Sequence, residues 1–370
     1  MFFLSAWLLS AVLLLALLID RWLGEPPARI HPVVGMGHYL NAAGAYAAPL
    51  VTGLNSSSNS EQNRTHQRRS FFLGAGFWLC GAFFVTSLAL LAQSALTVAL
   101  LRFLPTTAAP SAWTGVAALA LVLVLALLLK PLFAWRMLAD EVQAVEAALA
   151  QSVDAGRARL AYLVSRDTRN LSASEVREAA SETLAENFND SVIAPLFWFC
   201  IGGLPAAALY RYANTADASW GYIGERGGRD WTDAGRFAAR ADDVLSWLPA
   251  RLTALIIFIA AQAGFTPKKP ENTLKNTLEN LRAEAGKTPS PNSGWPMAAL
   301  ALALNVHLCK AGVYSLNPKG QSCDAQTMAQ ALRLMRRCWR GLLLGSMLFG
   351  ALAWLLLWAR MLPSTVFLFP

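Results

Sequence analysis

Long apolar runs, separated by polar segments, dominate the chain. Four have the roughly 20 residues that a membrane-spanning helix needs: residues 2–19, a run that starts at 71 and passes 91, residues 115–134 and residues 341–359. Two more, 192–210 and 252–265, are interrupted or short. A Gly-Gly-Leu-Pro sequence at 202–205 breaks the first, which membranes tolerate where the backbone is buried in protein or lines a cavity. The pattern predicts a single-domain, all-α polytopic membrane protein over residues 1–370, with about 4–6 transmembrane or re-entrant helices.

Two polar segments, 135–190 and 211–251, lie between the apolar runs, and two helices are predicted in the first. Apolar residues recur at helical spacing in the first: Leu138, Val142, Val145 and Leu149. A second helix should begin at Ser172, because Ser172 and Glu175 form a capping box, and should run to about residue 187. Residues 51–70 are rich in Ser and Asn and poor in apolar side chains, which predicts a flexible loop.

Composition agrees with a membrane protein. Hydrophobic residues make up 55% of the chain and charged residues only 15%, against about 25% charged in soluble domains. The net charge of +8 therefore indicates cytoplasmic loops near anionic lipid rather than nucleic-acid binding. Arg and Lys place the N-terminus outside and segments 20–70, 135–190 and 265–340 inside. For 211–251, simple alternation predicts the outside, six Arg favour the inside, and a re-entrant pair would reconcile the two.

The scarce acids are concentrated, with 16 of 23 between residues 130 and 251. On the second helix Glu178, Glu182 and Glu186 recur every four residues, and Asp190 continues the series. Like charges at this spacing destabilise a helix unless water or a cation relieves them. One interpretation is a solvated face. The other is a magnesium site shared with substrate phosphates, favoured by polar oxygens placed directly before an apolar run.

Arginines accompany these acids in two places. Arg166 and Arg169 could fork onto phosphate or carboxylate, or pair with Asp167 in their own loop. Further along, Arg211, Asn214 and Asp217 share one helix face. Arg240, Asp242 and Asp243 follow before the next apolar run. Carboxylates flanked by Arg fit phosphate plus metal, and they also fit a structural ion-pair network. A dense turn, PSPNSGWP at 289–296, offers free N–H, hydroxyl and amide groups.

Five ordered segments resemble one known family. They read DRWLGEPPARIHPVVGMG (20–37), VSRDTRNLSASEV (164–176), AENFNDSVIAPLFWFCIGGLPAAALYRYANTADASWGY (185–222), FAARADDVLSWLPARLTA (237–254) and SPNSGWPMAA (290–299). Together they make the chain similar to the CobD or CbiB family of cobalamin biosynthesis, the adenosylcobinamide-phosphate synthases. Motifs of this length in this order are a far more specific signal than any one of them alone.

The resemblance implies an ATP-dependent ligase of the bacterial inner membrane, with its active site facing the cytoplasm. Such an enzyme joins a carboxylate of adenosylcobyric acid to the amine of (R)-1-aminopropan-2-ol O-phosphate, or a related amino alcohol, and gives adenosylcobinamide phosphate. ATP would convert the carboxylate to an acyl phosphate, and Mg²⁺ would neutralise the phosphates. The expected partners are these two substrates and the lipid bilayer, with a homo-oligomer or a complex with other membrane corrinoid enzymes also open.

We assign roles to residues within the matching motifs. The expected metal ligands are Glu186, Asp190, Asp217 and Asp242. The expected catalytic residues are Asp243, as base for the attacking amine, with Arg166 and Arg240 on phosphate. The expected substrate-binding residues are Arg169, Asn170, Asn187, Arg211, Asn214, Ser290, Asn292 and Trp295.

Two alternatives remain open. A membrane signalling protein, AmpE, is distantly similar to this family and shares an apolar Leu-Phe-Trp-Phe patch like residues 196–199. The intact polar motifs at 165–170, 186–190 and 214–217 speak against it. A transporter of an anionic substrate would use the broken helix at 202–205, but it should carry its ionisable residues in mid-helix rather than at segment ends.

Overall fold

The computed structural model describes residues 6–51, 60–103, 112–263 and 274–361. It is 78% helical, and the sheet within these ranges consists of two short antiparallel hairpins. Six segments of the described chain are long and apolar enough to cross a membrane: Ala6–Leu23, Arg64–Leu100, Gly115–Leu149, Ala173–Trp220, Arg236–Gln262 and Ala325–Leu356. The prediction of an all-α polytopic membrane protein is confirmed.

The elements follow one another in two groups. The first comprises α1 (Ala6–Leu23), α2 (Pro32–Ala47), α3 (Ser60–Phe103), α4 (Ala112–Leu129), α5 (Trp135–Leu149) and α6 (Val153–Leu160), with short 3-10 turns at Ala28–Ile30 and Lys130–Leu132. The second comprises α7 (Ala173–Phe188), a π-helical turn (Asn189–Ile193), α8 (Ala194–Trp220), β1 (Glu225–Arg226), β2 (Arg229–Asp230), α9 (Arg236–Gln262), α10 (Leu274–Ala285), α11 (Gly294–Leu304), β3 (Leu308–Lys310), β4 (Tyr314–Leu316) and α12 (Ala325–Met361).

One core joins most of these helices. Helix α1 packs against α4 and α12, while α8 packs against α2, α3 and α9. Leu125, Leu129 and Phe133 are fully buried where α4 ends. Lipid tails are as apolar as leucine, so contacts of this kind stabilise a membrane protein through close packing more than through exclusion of water.

Helices α5 and α7, in the middle of the chain, form as their local sequence patterns predict. Helix α5 buries the whole predicted apolar face, including Val142 and Val145 at 0% exposure. Helix α7 begins after Ser172, whose hydroxyl accepts the Glu175 N–H while the Glu175 carboxylate accepts the Ser172 N–H. The predicted capping box is therefore confirmed, and the helix ends within a residue of its expected end.

The predicted break in the apolar run 192–210 is also present, inside α8. Gly202 and Gly203 leave the helical conformation, with φ of −134° and 67°. A neighbouring helix provides a hydrogen-bond acceptor for the broken segment. The Oε1 atom of Gln93 on α3, a residue only 5% exposed, accepts the Leu204 N–H at 2.8 Å. A neighbouring helix thus satisfies the backbone group that the break releases, as membrane depth requires.

A buried ion network ties α1 to the start of α5. The Lys130 ammonium, 3% exposed, lies 3.1 Å from Asp20 Oδ1 and 2.7 Å from Glu25 Oε1. Asp20 is fully buried and also accepts the Arg136 N–H at 3.0 Å. His31 contacts the other Glu25 oxygen at 3.2 Å. Because each buried charge has a partner, the network avoids the large penalty of an isolated ion in an apolar interior.

One prediction is wrong. Residues 60–70 do not form a flexible loop but open α3, which continues without interruption to Phe103; residues 52–59 lie outside the described residues. His66, Arg68 and Arg69 are exposed on this extension. Glu, Gln and Arg are good helix formers, so a polar segment adjoining an apolar helix can prolong it. The predicted 341–359 helix is likewise the later part of the longer α12.

Candidate functional site

An acidic row runs along α7 and faces protein rather than water. Glu178 and Glu182 are 6% and 3% exposed, so the solvated-face interpretation is wrong for both. Glu186, one turn further on, is half-buried. Its carboxylate lies close enough to interact electrostatically with Glu182, Asp190 and Asp217. The row therefore leads from the interior towards a cluster of further acids.

The π-helical turn Asn189–Ile193 widens the helix where the row ends. Such turns are frequent at functional sites because they re-aim side chains. Asn189 is 1% exposed and links two neighbours. Its amide nitrogen donates to Asp190 Oδ1 at 2.7 Å, and its Oδ1 accepts from the Thr253 hydroxyl at 2.9 Å. The turn thus fixes Asp190 against α9.

Three carboxylates from three segments lie near one another at this point. Asp190 comes from the π-helical turn, Asp217 from α8 and Asp242 from α9, and they are close enough to repel one another. Asp243 adds to the repulsion on Asp217. Like charges held close together in a partly buried site destabilise one another's charged form, so a bound cation would stabilise the three carboxylates.

Polar side chains of α8 and α9 support this cluster. The Asn214 amide donates to Asp242 Oδ1 at 3.4 Å, and the Ser246 hydroxyl donates to Asp242 Oδ2 at the same distance. Buried Tyr210 has its hydroxyl 3.1 Å from Ser246 Oγ. Asn214 therefore lies beside Asp242, and the network orients the Asp242 carboxylate.

Arg211 is the cation of the cluster. Its Nη1 donates to Ser191 Oγ at 3.2 Å, and its Nε is buried without a hydrogen-bond partner among the described residues. Glu25 and Asp190 both attract it electrostatically. A buried guanidinium with an unused N–H is an energetic cost that an anionic ligand would relieve.

A second part of the site faces the β3–β4 hairpin. Arg166 is ion-paired with Glu182, whose other oxygen is buried without a hydrogen-bond partner in the described chain. Tyr314 interacts with this carboxylate from β4, and Lys310 attracts Glu186 from β3. The hairpin therefore brings a lysine and a phenol over the acidic face of α7.

A third part joins α9 to the 289–296 turn. Asn292, 4% exposed, donates to the Asp243 backbone oxygen at 2.8 Å and approaches Asp243 Oδ1 at 3.4 Å. The Arg251 guanidinium approaches Asn292 Oδ1 at 3.3 Å and lies over the Trp295 ring at 4.7 Å from its centre. Ser290 shapes the turn by accepting the Asn292 N–H at 3.2 Å.

Several expected site residues lie apart from these contacts. Arg169 and Asp167 pair with each other at the surface, and hydrogen bonds from Arg169 hold the pKa of Asp167 at about 2. Asn187 donates to Thr183 O within its own helix. Asn170 and Arg240 are exposed, and neither side chain has a hydrogen bond or ion pair within the described residues.

The donor set of the cluster suits magnesium. Among the described residues, no group of three or more His, Cys, Asp or Glu side chains converges closely enough to hold a metal ion by itself. Mg²⁺ is usually bound through one or two carboxylates, with water and substrate phosphates completing its shell. Asp190 and Asp242, with Asn214 beside them, fit that mode.

Sequence reasoning missed the contributions of Lys310, Tyr314 and Tyr210. Lys310 and Tyr314 reach the site through a hairpin of two three-residue strands, which leave no alternating pattern. Tyr210 is the last residue of the broken apolar run, so the sequence pattern predicts a core residue there. Glu25 lies in the first of the five family-like motifs, and that position is the sequence signal that could have identified it as a site residue.

The chain matches the family model described as CobD/Cbib protein over residues 13–363. That span includes all the carboxylates and arginines of the cluster.

Curated relatives match over most of their length. A protein named "Probable cobalamin biosynthesis protein CobD" from Methanothermobacter thermautotrophicus is 34% identical over 325 residues, covering 88% of this chain and 92% of its own. "Cobalamin biosynthesis protein CobD" of Chromobacterium violaceum is 35% identical over 350 residues, covering 91% and 97%. The protein of the same name from Halalkalibacterium halodurans is 34% identical and covers 86% of both chains.

No solved structure matches the chain significantly. Family model and relatives agree with the resemblance carried by the five motifs. The chain belongs to the CobD/CbiB family.

Proposed function

We propose that this protein acts in cobalamin biosynthesis as an ATP-dependent amide ligase of the inner membrane. It would join adenosylcobyric acid to (R)-1-aminopropan-2-ol O-phosphate, or a related amino alcohol, and give adenosylcobinamide phosphate. Family membership and the names of the relatives support the pathway. The observation that carries the chemistry is that Asp190, Asp217 and Asp242 lie close enough to repel one another, near Arg211, whose guanidinium has an unused N–H.

The reaction has two steps. A carboxylate oxygen of the corrinoid attacks the γ-phosphorus of ATP, the bond to the β–γ bridging oxygen breaks, and ADP leaves. The amine then attacks the carbonyl carbon of the acyl phosphate, phosphate leaves, and the amine proton passes to a base. Catalysis of phosphoryl transfer consists mainly of positioning and of electrostatic stabilisation, so the required residues are cations and metal-binding carboxylates.

The cluster supplies both kinds of residue. Asp190 and Asp242 would hold magnesium, which supplies positive charge to the phosphate oxygens of ATP. Glu186 and Asp217, which lie close enough to repel Asp190, would add negative charge around the ion. Arg211 would donate its unused Nε–H to a phosphate oxygen. Since charge-assisted hydrogen bonds are roughly twice as strong as neutral ones, a single Arg–phosphate contact here would contribute substantially to orientation.

The hairpin side of the site offers further cations. Arg166 is held in place by Glu182 and Lys310 lies near Glu186. An incoming phosphate would give Arg166 and Lys310 a second anionic partner each, besides Glu182 and Glu186. Arg240 and Arg169 are exposed and would meet the substrate at the solvent end.

Asp243 is our proposed base. The Asn292 amide holds its backbone oxygen and lies near its carboxylate, so the carboxylate has a fixed position beside the cluster. Arg251 and Trp295 form a flat stacked surface next to it, on which a planar part of the substrate would rest.

The test is a complete reaction with purified protein in detergent. Cobyric acid in its adenosylated form, aminopropanol phosphate, ATP and Mg²⁺ are supplied, and mass spectrometry follows adenosylcobinamide phosphate while a coupled assay follows ADP. We expect equal amounts of both products. Absence of product with verified substrates would refute the activity; corrinoid uptake into proteoliposomes would then favour transport.

Matched variants test the site. Glu186→Gln and Asp190→Asn should each lower turnover about 100-fold or more, the effect of losing one preorganised electrostatic contact. Asp154→Asn is the control, because Asp154 is exposed and pairs only with neighbouring Arg157 among the described residues. Thermal unfolding should confirm that all three variants fold. Near-normal turnover in both site variants would remove the metal assignment.

A further inference from the structure

A cavity of 1110 Å³ opens between α1, α3 and the end of α4. It lies slightly above the range of about 300–1,000 Å³ typical of small-molecule sites. The wall is almost entirely apolar, with Phe84, Val85 and Leu88 on one side and Leu127 and Leu204 opposite. A cavity of this size and lining would hold a large apolar group.

The cavity opens towards the bilayer. Its rim residues Leu23, Phe84 and Leu88 are 73%, 67% and 58% exposed, and both α1 and α3 contain candidate membrane spans. Apolar side chains so exposed on spanning helices meet lipid. The occupant therefore enters sideways from the membrane.

The length of the cavity matches one leaflet. Its α3 wall extends from Cys80 to Ala92, about 18 Å at the helical rise of about 1.5 Å per residue. Half of a hydrocarbon core of about 30 Å is about 15 Å. A single extended acyl chain fits this dimension.

Two arginines lie close in sequence to the residues that line the cavity near Glu25. Lys130 there is paired with Asp20 and Glu25. Arg21 and Arg29 stand beside lining residues, are exposed and have no ion pair among the described residues. Basic residues beside an apolar site attract anionic lipid headgroups.

We propose that one acyl chain of an anionic phospholipid occupies this cavity, with its phosphate at Arg21 and Arg29. The lining contains none of the carboxylates Glu186, Asp190, Asp217 and Asp242, and the proposal does not depend on the proposed reaction.

Photo-crosslinking tests the site without any turnover. Purified protein in detergent is incubated with phosphatidylglycerol that carries a diazirine on its acyl chain, irradiated, and digested for peptide mass spectrometry. We expect label on residues 80–92 of α3. Unlabelled phosphatidylglycerol should compete about tenfold more strongly than phosphatidylcholine, a difference typical of one good charge contact.

Two substitutions on one helix provide the matched comparison. Ala89→Trp fills the cavity and should lower labelling about tenfold, whereas Ala95→Trp, exposed and outside the lining, should not. The double variant Arg21→Gln/Arg29→Gln tests the headgroup without disturbing the core, and should abolish the preference for phosphatidylglycerol.

Three outcomes overturn the proposal: equal labelling in both Trp variants, equal competition by the two lipids, or an unchanged preference in the double Arg variant. Displacement of the lipid by adenosylcobyric acid would instead assign the cavity to the corrinoid. Because the readout is binding, failure of the ligase assay leaves this result unaffected.

Discussion

Replacing Lys130 with methionine tests the buried ion network directly. The Lys130 ammonium is the shared partner of Asp20 and Glu25, at 3.1 and 2.7 Å, and the Lys130 and Asp20 side chains are 4% and 0% exposed. Removal of one member of a buried ion pair costs about 3–5 kcal/mol, because it leaves an uncompensated charge. Here Asp20 keeps the Arg136 N–H at 3.0 Å and Glu25 keeps His31. We therefore expect the lower end, about 3 kcal/mol of unfolding free energy.

A double-mutant cycle measures the interaction itself. Unfolding free energies are compared in mixed detergent micelles for Lys130→Met, Asp20→Asn and the double variant. Since the double variant removes both charges, its loss should fall short of the sum of the single losses by about 2 kcal/mol, within the range for residues in contact. Lys319→Met, at an exposed position, controls for loss of a lysine. Strict additivity of the two single losses would refute the network as a source of stability.

Three further variants test packing and the site. Gly74→Ala should lower unfolding free energy by about 1–3 kcal/mol, because its Cβ would stand 2.1 Å from a backbone oxygen; Gly76→Ala, with nothing within 4 Å, should not, and equal losses in a denaturation series would contradict this. Lys310→Met should lower turnover and raise KM for ATP, measured by ADP release, and an unchanged KM would remove it from the phosphate site. Asn292→Ala should reduce turnover, because Asp243 loses its amide contacts, and should cost about 1–3 kcal/mol of stability; normal kinetics would assign it to the turn alone.

Features decided by neighbouring residues were predictable from the sequence. The capping box at Ser172 depends on two side chains three residues apart, and the break at Gly202 depends on adjacent glycines and a proline. The apolar face of α5 follows from helical spacing. In each case the physical cause and its effect lie within a few residues of one another.

Contacts between distant segments were not predictable in this way. The ion pair of Glu25 with Lys130 joins residues 105 apart, and nothing in either local pattern requires it. The acidic row was recognised, but its burial depends on Arg166 and on the hairpin that carries Lys310 and Tyr314. Spacing predicted which acids share a face, while the fold decides what that face meets.

The flexible-loop prediction for residues 60–70 was wrong for a related reason. Low apolar content excludes a buried segment but does not exclude a helix. Once the apolar part of α3 is helical, each added residue gains a hydrogen bond without a new nucleation cost. A polar extension can therefore stay helical beyond the membrane.

The hydrogen bond from Leu204 N–H to Gln93 also bears on how the chain is built. In lipid, an unsatisfied backbone N–H costs several kcal/mol, so the broken half of α8 is poorly suited to enter the bilayer alone. Its partner on α3 lies 111 residues earlier and emerges first from the ribosome. The broken half of α8 is therefore stabilised in the membrane only when α3 stands beside it and Gln93 accepts the freed N–H.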